Sequence, residues 1–303
     1  MPDSTAKMAR RNWIWQYVGV DIEITVRAAL KEDRAWSDVT SRLFLPKGIR
    51  GEAVVVAKAS GVAAGARAAA EAFRIRDRRC RVSIVRDDGR AVRRGDIILK
   101  VRGPLASILS AERVALNFLT HLSGIATLTR EFVRGAGGRA KILHTRKTLP
   151  GLRDLENAAV LAGGGNAHRR DLSGAVLVKE NHLDTWKGRF DPVDFARRIR
   201  AARRGGLTTI VEARNKREII GALEAGAGVL LLDNFSTSRL AGIVRWIGSI
   251  CRKRGWRRPL LEVSGGVTLR TVGRIARAGV DRISVGAITH SAPALDMSLD
   301  IRG

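Results

Sequence analysis

Between Lys141 and Ala287 the chain repeats one pattern. A short apolar run stops on a polar, charged or glycine residue, a helix-patterned stretch follows, and another apolar run begins. The runs end at Thr145, Lys179, Glu212, Asp233, Ser264 and Gly286, and helical segments include 192–203, 216–225, 239–252 and 269–278. Strands joined by helices lie parallel, and ligands gather at the carboxyl ends of those strands. Every chemically distinctive residue of the region falls at or just past such an end. The pattern predicts a barrel-like α/β domain with a single site at its mouth.

The residues at those ends are mostly cations. Arg146 and Lys147 follow the first run, His168-Arg169-Arg170 lies between the first two, and Lys179 closes the second. Such a set suits a ligand with several negative charges, because guanidinium reads carboxylate and phosphate through paired hydrogen bonds. Glu212 and Asp233 end TTIVE and VLLLD, where a buried carboxylate is costly unless it meets a cation or hydroxyls. Ser264-Gly265-Gly266 and Val285-Gly286-Ala287 place small residues before helix N-termini, a setting for a phosphate. Gly163–Gly165 reads as a helix stop and turn.

Three motifs in order carry a family resemblance: TRKTLPGLR at 145–153, GGGNAHR at 163–169 and KENH at 179–182. The chain resembles the quinolinate phosphoribosyltransferases over nearly its whole length. The resemblance implies an incomplete (open) α/β barrel with an N-terminal mixed α+β sandwich domain. It divides the chain into a flexible N-terminal arm (1–18), an N-terminal domain (19–110), the barrel (111–290) and a C-terminal segment returning to the N-terminal domain (291–303). The family barrel has one strand more than the six counted above. The implied reaction joins quinolinate to phosphoribosyl pyrophosphate, giving nicotinate mononucleotide, CO2 and pyrophosphate, with Mg2+ required.

Under that resemblance Arg146, His168, Arg169 and Lys179 form the quinolinate set, with Thr145 beside them, and Lys147 meets the donor's pyrophosphate. Glu212 and Asp233 hold the ribose hydroxyls, offset positive charge at the sugar carbon, and stand as candidate ligands for Mg2+ carried in with substrate. Ser264, Gly265, Gly266, Val285, Gly286 and Ala287 take the phosphate. The protein is expected to be a homodimer in which Arg113 reaches the neighbouring subunit's pocket. Two other readings remain open: a paralogous pyrophosphorylase of the molybdenum-operon type acting on another base, and a non-catalytic anion- or nucleic-acid-binding protein.

Several residues depart from the family pattern. His144 stands where an acid is usual, and Arg214 replaces the second Glu of VEVE, so the mouth is expected to be more positive than is usual. Within EDRAWSDVT, Arg34 to Ser37 replace the customary glycines, so this loop is expected to avoid positive φ.

The N-terminal half reads as a helix over 20–30, strands at 52–57, 81–85 and 96–101, a helix over 66–73, and a turn at Asp87-Asp88-Gly89. Ser110 is expected to cap a long helix that opens the second domain.

Composition excludes little but bears on partners. The chain has 55 basic and 29 acidic side chains, a net charge of +26, with 44 arginines spread over every segment. Aromatics are only 5% and do not interleave with the basic residues, so no specific nucleic-acid partner is expected, only weak adhesion at low salt. Cys80 and Cys251 form no disulfide framework or zinc spacing, and no apolar run approaches the ~20 residues of a membrane span. A cytoplasmic protein is the expectation.

Overall fold

The computed structural model describes residues 22–185, 191–233 and 235–302. The expected arm at 1–18, the start of the helix expected from Val20, and Asn234 lie outside the described residues. The chain divides into two units: residues up to Arg130 with Thr148–Gly164 and Ile288 onward, and Glu131–Lys147 with Gly165–Ala287.

The first unit is built on a four-stranded antiparallel sheet. Its strands are β1 (Arg50–Ala57), β3 (Arg81–Ile84), β5 (Ile97–Pro104) and β12 (Met297–Arg302), in the order β12-β1-β5-β3. The last strand of the chain therefore pairs with β1, from Glu52 opposite Arg302 to Ala57 opposite Met297. Helix α1 (Ile22–Glu32) packs on α3 (Ala66–Arg76), which in turn lies on β3 and β5. Ala68, Ala69, Ala70, Ala72 and Phe73 of α3 are fully buried, which explains its alanine-rich sequence: small side chains let it approach the sheet closely. The expected turn is present, with Gly89 at φ +83°. Its Asp88 accepts the Ala66 N–H at the start of α3 (3.0 Å), and burial pushes its carboxyl up to about 6.

Two local expectations are corrected. Ser110 caps nothing: the helix α4 runs from Leu105 to Ala136, and Ser110 is buried inside it, its hydroxyl turned to the Ser107 carbonyl. The helix begins directly after Pro104, the last residue of β5, so no separate serine cap is required. The loop after α1 does use positive φ, and the residue that bears it is Arg34, at φ 50°, ψ 39°. Asp38 then caps α2 (Val39–Phe44), accepting from the Thr40 and Ser41 amides at 3.0 and 3.1 Å. A left-handed non-glycine residue costs about 1–2 kcal/mol, partly offset by glycine's greater unfolded-state entropy. Arg34→Gly is therefore expected to stabilise the protein by about 1 kcal/mol, read as a higher urea midpoint at unchanged slope; an unchanged or lower midpoint would contradict the assignment.

The second unit is a six-stranded all-parallel sheet. It comprises β6 (Lys141–Leu143), β7 (Val176–Val178), β8 (Thr209–Ala213), β9 (Val229–Asp233), β10 (Leu260–Ser264) and β11 (Arg282–Ser284), in the order β6-β11-β10-β9-β8-β7. From β7 to β11 each strand lies beside the next in sequence, as successive strand–helix units require. The helices α7 (Pro192–Arg204), α8 (Lys216–Ala225), α9 (Thr237–Arg254) and α10 (Leu269–Arg277) supply the crossovers. Buried runs such as Val229–Leu232 and Ile210–Ala213 show no polar alternation, because both faces of these strands are covered. Among the described residues β6 and β7 form no ladder with each other, so the barrel is open there. Beyond β6 a single parallel bridge joins Leu143 to Asn166.

Candidate active site

The strand ends of the second unit bring the expected residues together in three groups. The first is cationic. Thr145 and Arg146 follow β6, and the Thr145 hydroxyl accepts the Lys147 amide at 3.2 Å, turning the chain directly past the strand. Arg169 anchors its guanidinium on the Ala175 carbonyl (3.3 Å). Burial lowers the Arg169 pKa from its ordinary value, and the positive charge of Arg146 lowers it further. Two guanidiniums that repel each other in a half-buried setting favour an anion between them, since the ligand relieves both penalties at once.

The second group is acidic with one lysine. Lys179 follows β7, and its ammonium lies 3.5 Å from the carboxylate of Glu212, near the end of β8. Glu212 is only 5% exposed. Its carboxyl is pushed up to about 7, chiefly by burial and then by the facing Glu180 carboxyl, with Asp233 adding repulsion. Glu180 is lowered instead, first through its hydrogen bond with Glu212, so the two carboxyls titrate as a pair. Glu180 was not singled out in the sequence; its place next to Lys179 in KENH was the available signal. Asp233 ends β9, in register with Ser264 at the end of β10.

The third group is the turn after β10. Gly265 and Gly266 have φ of +87° and +58°, a conformation that side chains rarely adopt, and Thr268 then caps α10 through a capping box with Thr271. Consecutive amides in such a turn, ahead of a helix N-terminus, form a concave anion cradle. At the neighbouring β11 the picture is narrower. The Val285 amide is spent on the Leu143 carbonyl (3.0 Å), so Val285 shapes the site without offering its N–H. Gly286 and Ala287 follow, leading into the single turn α11 (Ala287–His290).

His168 is held from two sides. Its amide donates to His144 Nε2 (3.2 Å), and its own Nε2 lies 3.3 Å from Glu262, which is 1% exposed. The segment reaches this position because Asn166 bridges Leu143, donating to the Ile142 carbonyl at 2.7 Å. Glu262 is a residue that the sequence reading missed, since a glutamate in the middle of an apolar run resembles an ordinary strand residue. Arg113 lies exposed on α4, in the first unit.

Both departures from the family pattern are engaged in contacts within the protein. Arg214 pairs with Glu218 one turn on, with contacts of 2.9 and 3.3 Å through its guanidinium and 2.7 Å through its amide, and its positive charge also helps to hold the Glu180 carboxyl down. His144 is buried, at 3% exposure, and acts as a hydrogen-bond acceptor.

Among the described residues no group of three or more His, Cys, Asp or Glu side chains forms a metal cage. The carboxylates of Glu212 and Asp233, close enough to repel, instead suit Mg2+. That ion is commonly held by one or two carboxylates together with substrate phosphate oxygens.

A parallel barrel whose mouth gathers paired guanidiniums, a lysine facing two glutamates and a glycine cradle defines an enzyme for polyanionic substrates. Residues 38–123 match the quinolinate phosphoribosyl transferase N-terminal domain and residues 125–300 its C-terminal domain. The chain belongs to that family. It is 36% identical over 272 residues to a probable nicotinate-nucleotide pyrophosphorylase (carboxylating) of Bacillus subtilis, covering 89% of this chain and 90% of that one. The corresponding protein of Archaeoglobus fulgidus is 39% identical over 254 residues, covering 82% and 94%. The solved nicotinate-nucleotide pyrophosphorylase of Francisella tularensis superposes with a TM-score of 0.81 at 34% identity, covering 93% and 96%.

Proposed function

We propose that this protein transfers the phosphoribosyl group of phosphoribosyl pyrophosphate to the ring nitrogen of quinolinate. The pyridinium so formed loses the adjacent carboxyl as CO2, leaving nicotinate mononucleotide and pyrophosphate, a step of NAD biosynthesis. The observation that carries this reading is the Arg146–Arg169 pair, two mutually repelling cations at one strand-end mouth. A dicarboxylate suits that arrangement, because each guanidinium can read one carboxylate through paired hydrogen bonds.

Each group has one task. Arg146, Arg169, His168 and Lys179 orient quinolinate, with Thr145 shaping the turn that presents Arg146. The ring nitrogen attacks the sugar carbon as the bond to pyrophosphate breaks, and the electron pair leaves with pyrophosphate, next to Lys147. Glu212 and Asp233 bind the ribose hydroxyls and stabilise the positive charge that develops at that carbon. Mg2+, when bound by Glu212, Asp233 and the donor's phosphates, supplies charge neutralisation of the leaving group. Ser264 and the Gly265–Gly266 turn, with Gly286 and Ala287 alongside, receive the donor's phosphate. The positive ring nitrogen stabilises the electron pair left on the adjacent carbon as CO2 departs, and that carbon then takes a proton from water, so positioning and charge suffice and no covalent enzyme adduct is required.

The test is turnover with either base. Mg2+-dependent consumption of quinolinate with no use of nicotinate is expected; comparable efficiency with nicotinate would overturn the substrate assignment.

The reading extends to assembly and compartment. The protein acts in the cytoplasm as a homodimer in which Arg113 serves the partner's quinolinate pocket. No helix among the described residues is long and apolar enough to cross a membrane. Two inactive variants, Arg113→Ala and Lys179→Ala, should complement when their subunits are mixed. Random exchange makes half the dimers mixed, each with one intact site, so about a quarter of wild-type activity returns if Arg113 acts across the interface. No recovery, with exchange confirmed by an independent label, would mean that each site is complete within one subunit.

A further inference from the structure

The groups around Glu262 form a buried charged relay behind the pocket. Glu262 lies in the middle of β10, in register with Arg282 of β11, and both are among the most enclosed charged side chains of the unit. One carboxylate oxygen meets Arg282 Nε at 3.0 Å, and the other accepts from the Ser284 hydroxyl and meets His168 Nε2 at 3.3 Å. Burial works against the ionised carboxylate, but His168, Arg282 and Ser284 outweigh it and hold Glu262 below the usual carboxylate range. A carboxylate kept at 1% exposure is costly unless it is paired and hydrogen-bonded, and here its partners are Arg282, Ser284 and His168.

We propose that Glu262 is a positioning residue for His168: it fixes the ring and its tautomer so that Nδ1 is the atom presented to substrate. An ionised carboxylate can only accept, so His168 Nε2 must carry a proton. The other face of the arrangement is set by His144, whose Nε2 accepts the His168 amide at 3.2 Å and fixes the backbone from which the ring projects. With ring and backbone both held, Nδ1 is the ring nitrogen left to meet a substrate. When a substrate carboxylate arrives there, the imidazolium satisfies an anion at each nitrogen with two donors. Arg282 compensates the second oxygen of Glu262, so the negative charge of the relay stays local and does not repel an anionic substrate. The chemistry resembles the way buried carboxylates orient functional histidines elsewhere, through the nitrogen that does not touch the ligand.

The role assigned to Nδ1 rests on quinolinate as the substrate, whereas the tautomer of His168 does not, so two measurements separate the claims. Nitrogen-15 NMR of the imidazoles, with His168 assigned by loss of its signals in His168→Asn, reads the tautomer directly in the unmodified protein. Protonated Nε2 is expected from neutral to mildly alkaline pH; a neutral ring with its proton on Nδ1 alone would overturn the proposal, whatever the protein's substrate. Kinetics then tests the consequence. In Glu262→Gln the amide can donate to Nε2, so the tautomer is expected to reverse and the KM for quinolinate to rise at least tenfold. The KM for the phosphoribosyl donor should stay within twofold, and Glu262→Asp should recover part of the loss. Equal rises in both KM values, or a lowered kcat with both KM values unchanged, would show Glu262 to be merely structural. If Glu262→Gln fails to fold, Glu262→Asp and the tautomer of the unmodified protein decide the matter. Absence of quinolinate turnover in the wild type, with the Nε2 proton confirmed, would sink the substrate reading and leave the positioning of His168 standing.

Discussion

Replacing Arg146 by alanine is expected to lower kcat/KM for quinolinate by about thirtyfold or more. Truncating one member of a desolvated charge pair costs about 2–5 kcal/mol, and each 1.4 kcal/mol is tenfold. The thirtyfold figure is the lower end of that range, because the charge of Arg146 also lowers the pKa of Arg169. Removing Arg146 relieves the repulsion but leaves a substrate carboxylate without its planar partner. Arg146→Lys should recover only a part, since an ammonium keeps the charge and loses the paired geometry. Steady-state kinetics on both variants checks this. An alanine variant within twofold of wild type would remove Arg146 from the site.

Glu212→Gln is expected to lower kcat by on the order of a hundredfold, the scale for removing one preorganised electrostatic contact to developing charge. It carries a second signature in stability. Glu212 has its carboxyl pushed up to about 7 by burial and by Glu180, so the folded protein holds a proton there that the unfolded chain releases near the ordinary value of 4.5. A raised folded pKa gives stability that is complete below the unfolded value and is lost as pH rises through the folded one. The metal-free protein should therefore lose stability between about pH 5 and pH 8 through this pair, and Glu212→Gln should flatten that slope. Mg2+ together with a phosphoribosyl donor should restore stability at the alkaline end, because it binds the deprotonated carboxylates. Thermal unfolding across pH, with and without these ligands, reads all three. A slope unchanged by Glu212→Gln would mean that the proton is not on this pair.

The barrel could be read from the chain because its signal is repetitive and local. Apolar runs such as Val229–Leu232 end in residues whose polarity makes sense only at an exposed strand end, and each of the six runs corresponds to a strand. The cations at those ends were legible for the same reason. What escaped the reading depends on tertiary partners. Glu262 lies mid-strand, and only the cross-strand Arg282 and the distant His168 show why a charge is kept there. Glu180 gains meaning from Glu212, thirty-two positions on, and Arg214 from Glu218, with which it pairs one turn on. Arg34 shows that local preference can be overridden: the turn between α1 and the Asp38-capped helix requires a left-handed residue, and the chain places an arginine there despite the strain. Ser110 misled because a good capping sequence is no guarantee of a helix start when the strand before it runs straight into the helix.

The central claim is that one mouth couples phosphoribosyl transfer to loss of a carboxyl group. Following quinolinate labelled in the carboxyl carbon next to the ring nitrogen tests it most directly. With the phosphoribosyl donor and Mg2+ present, labelled CO2, nicotinate mononucleotide and pyrophosphate should appear in equal amounts, and no CO2 should appear when the donor is withheld. Release of labelled CO2 without the donor, or accumulation of a nucleotide that keeps both carboxyl groups as the final product, would contradict the account.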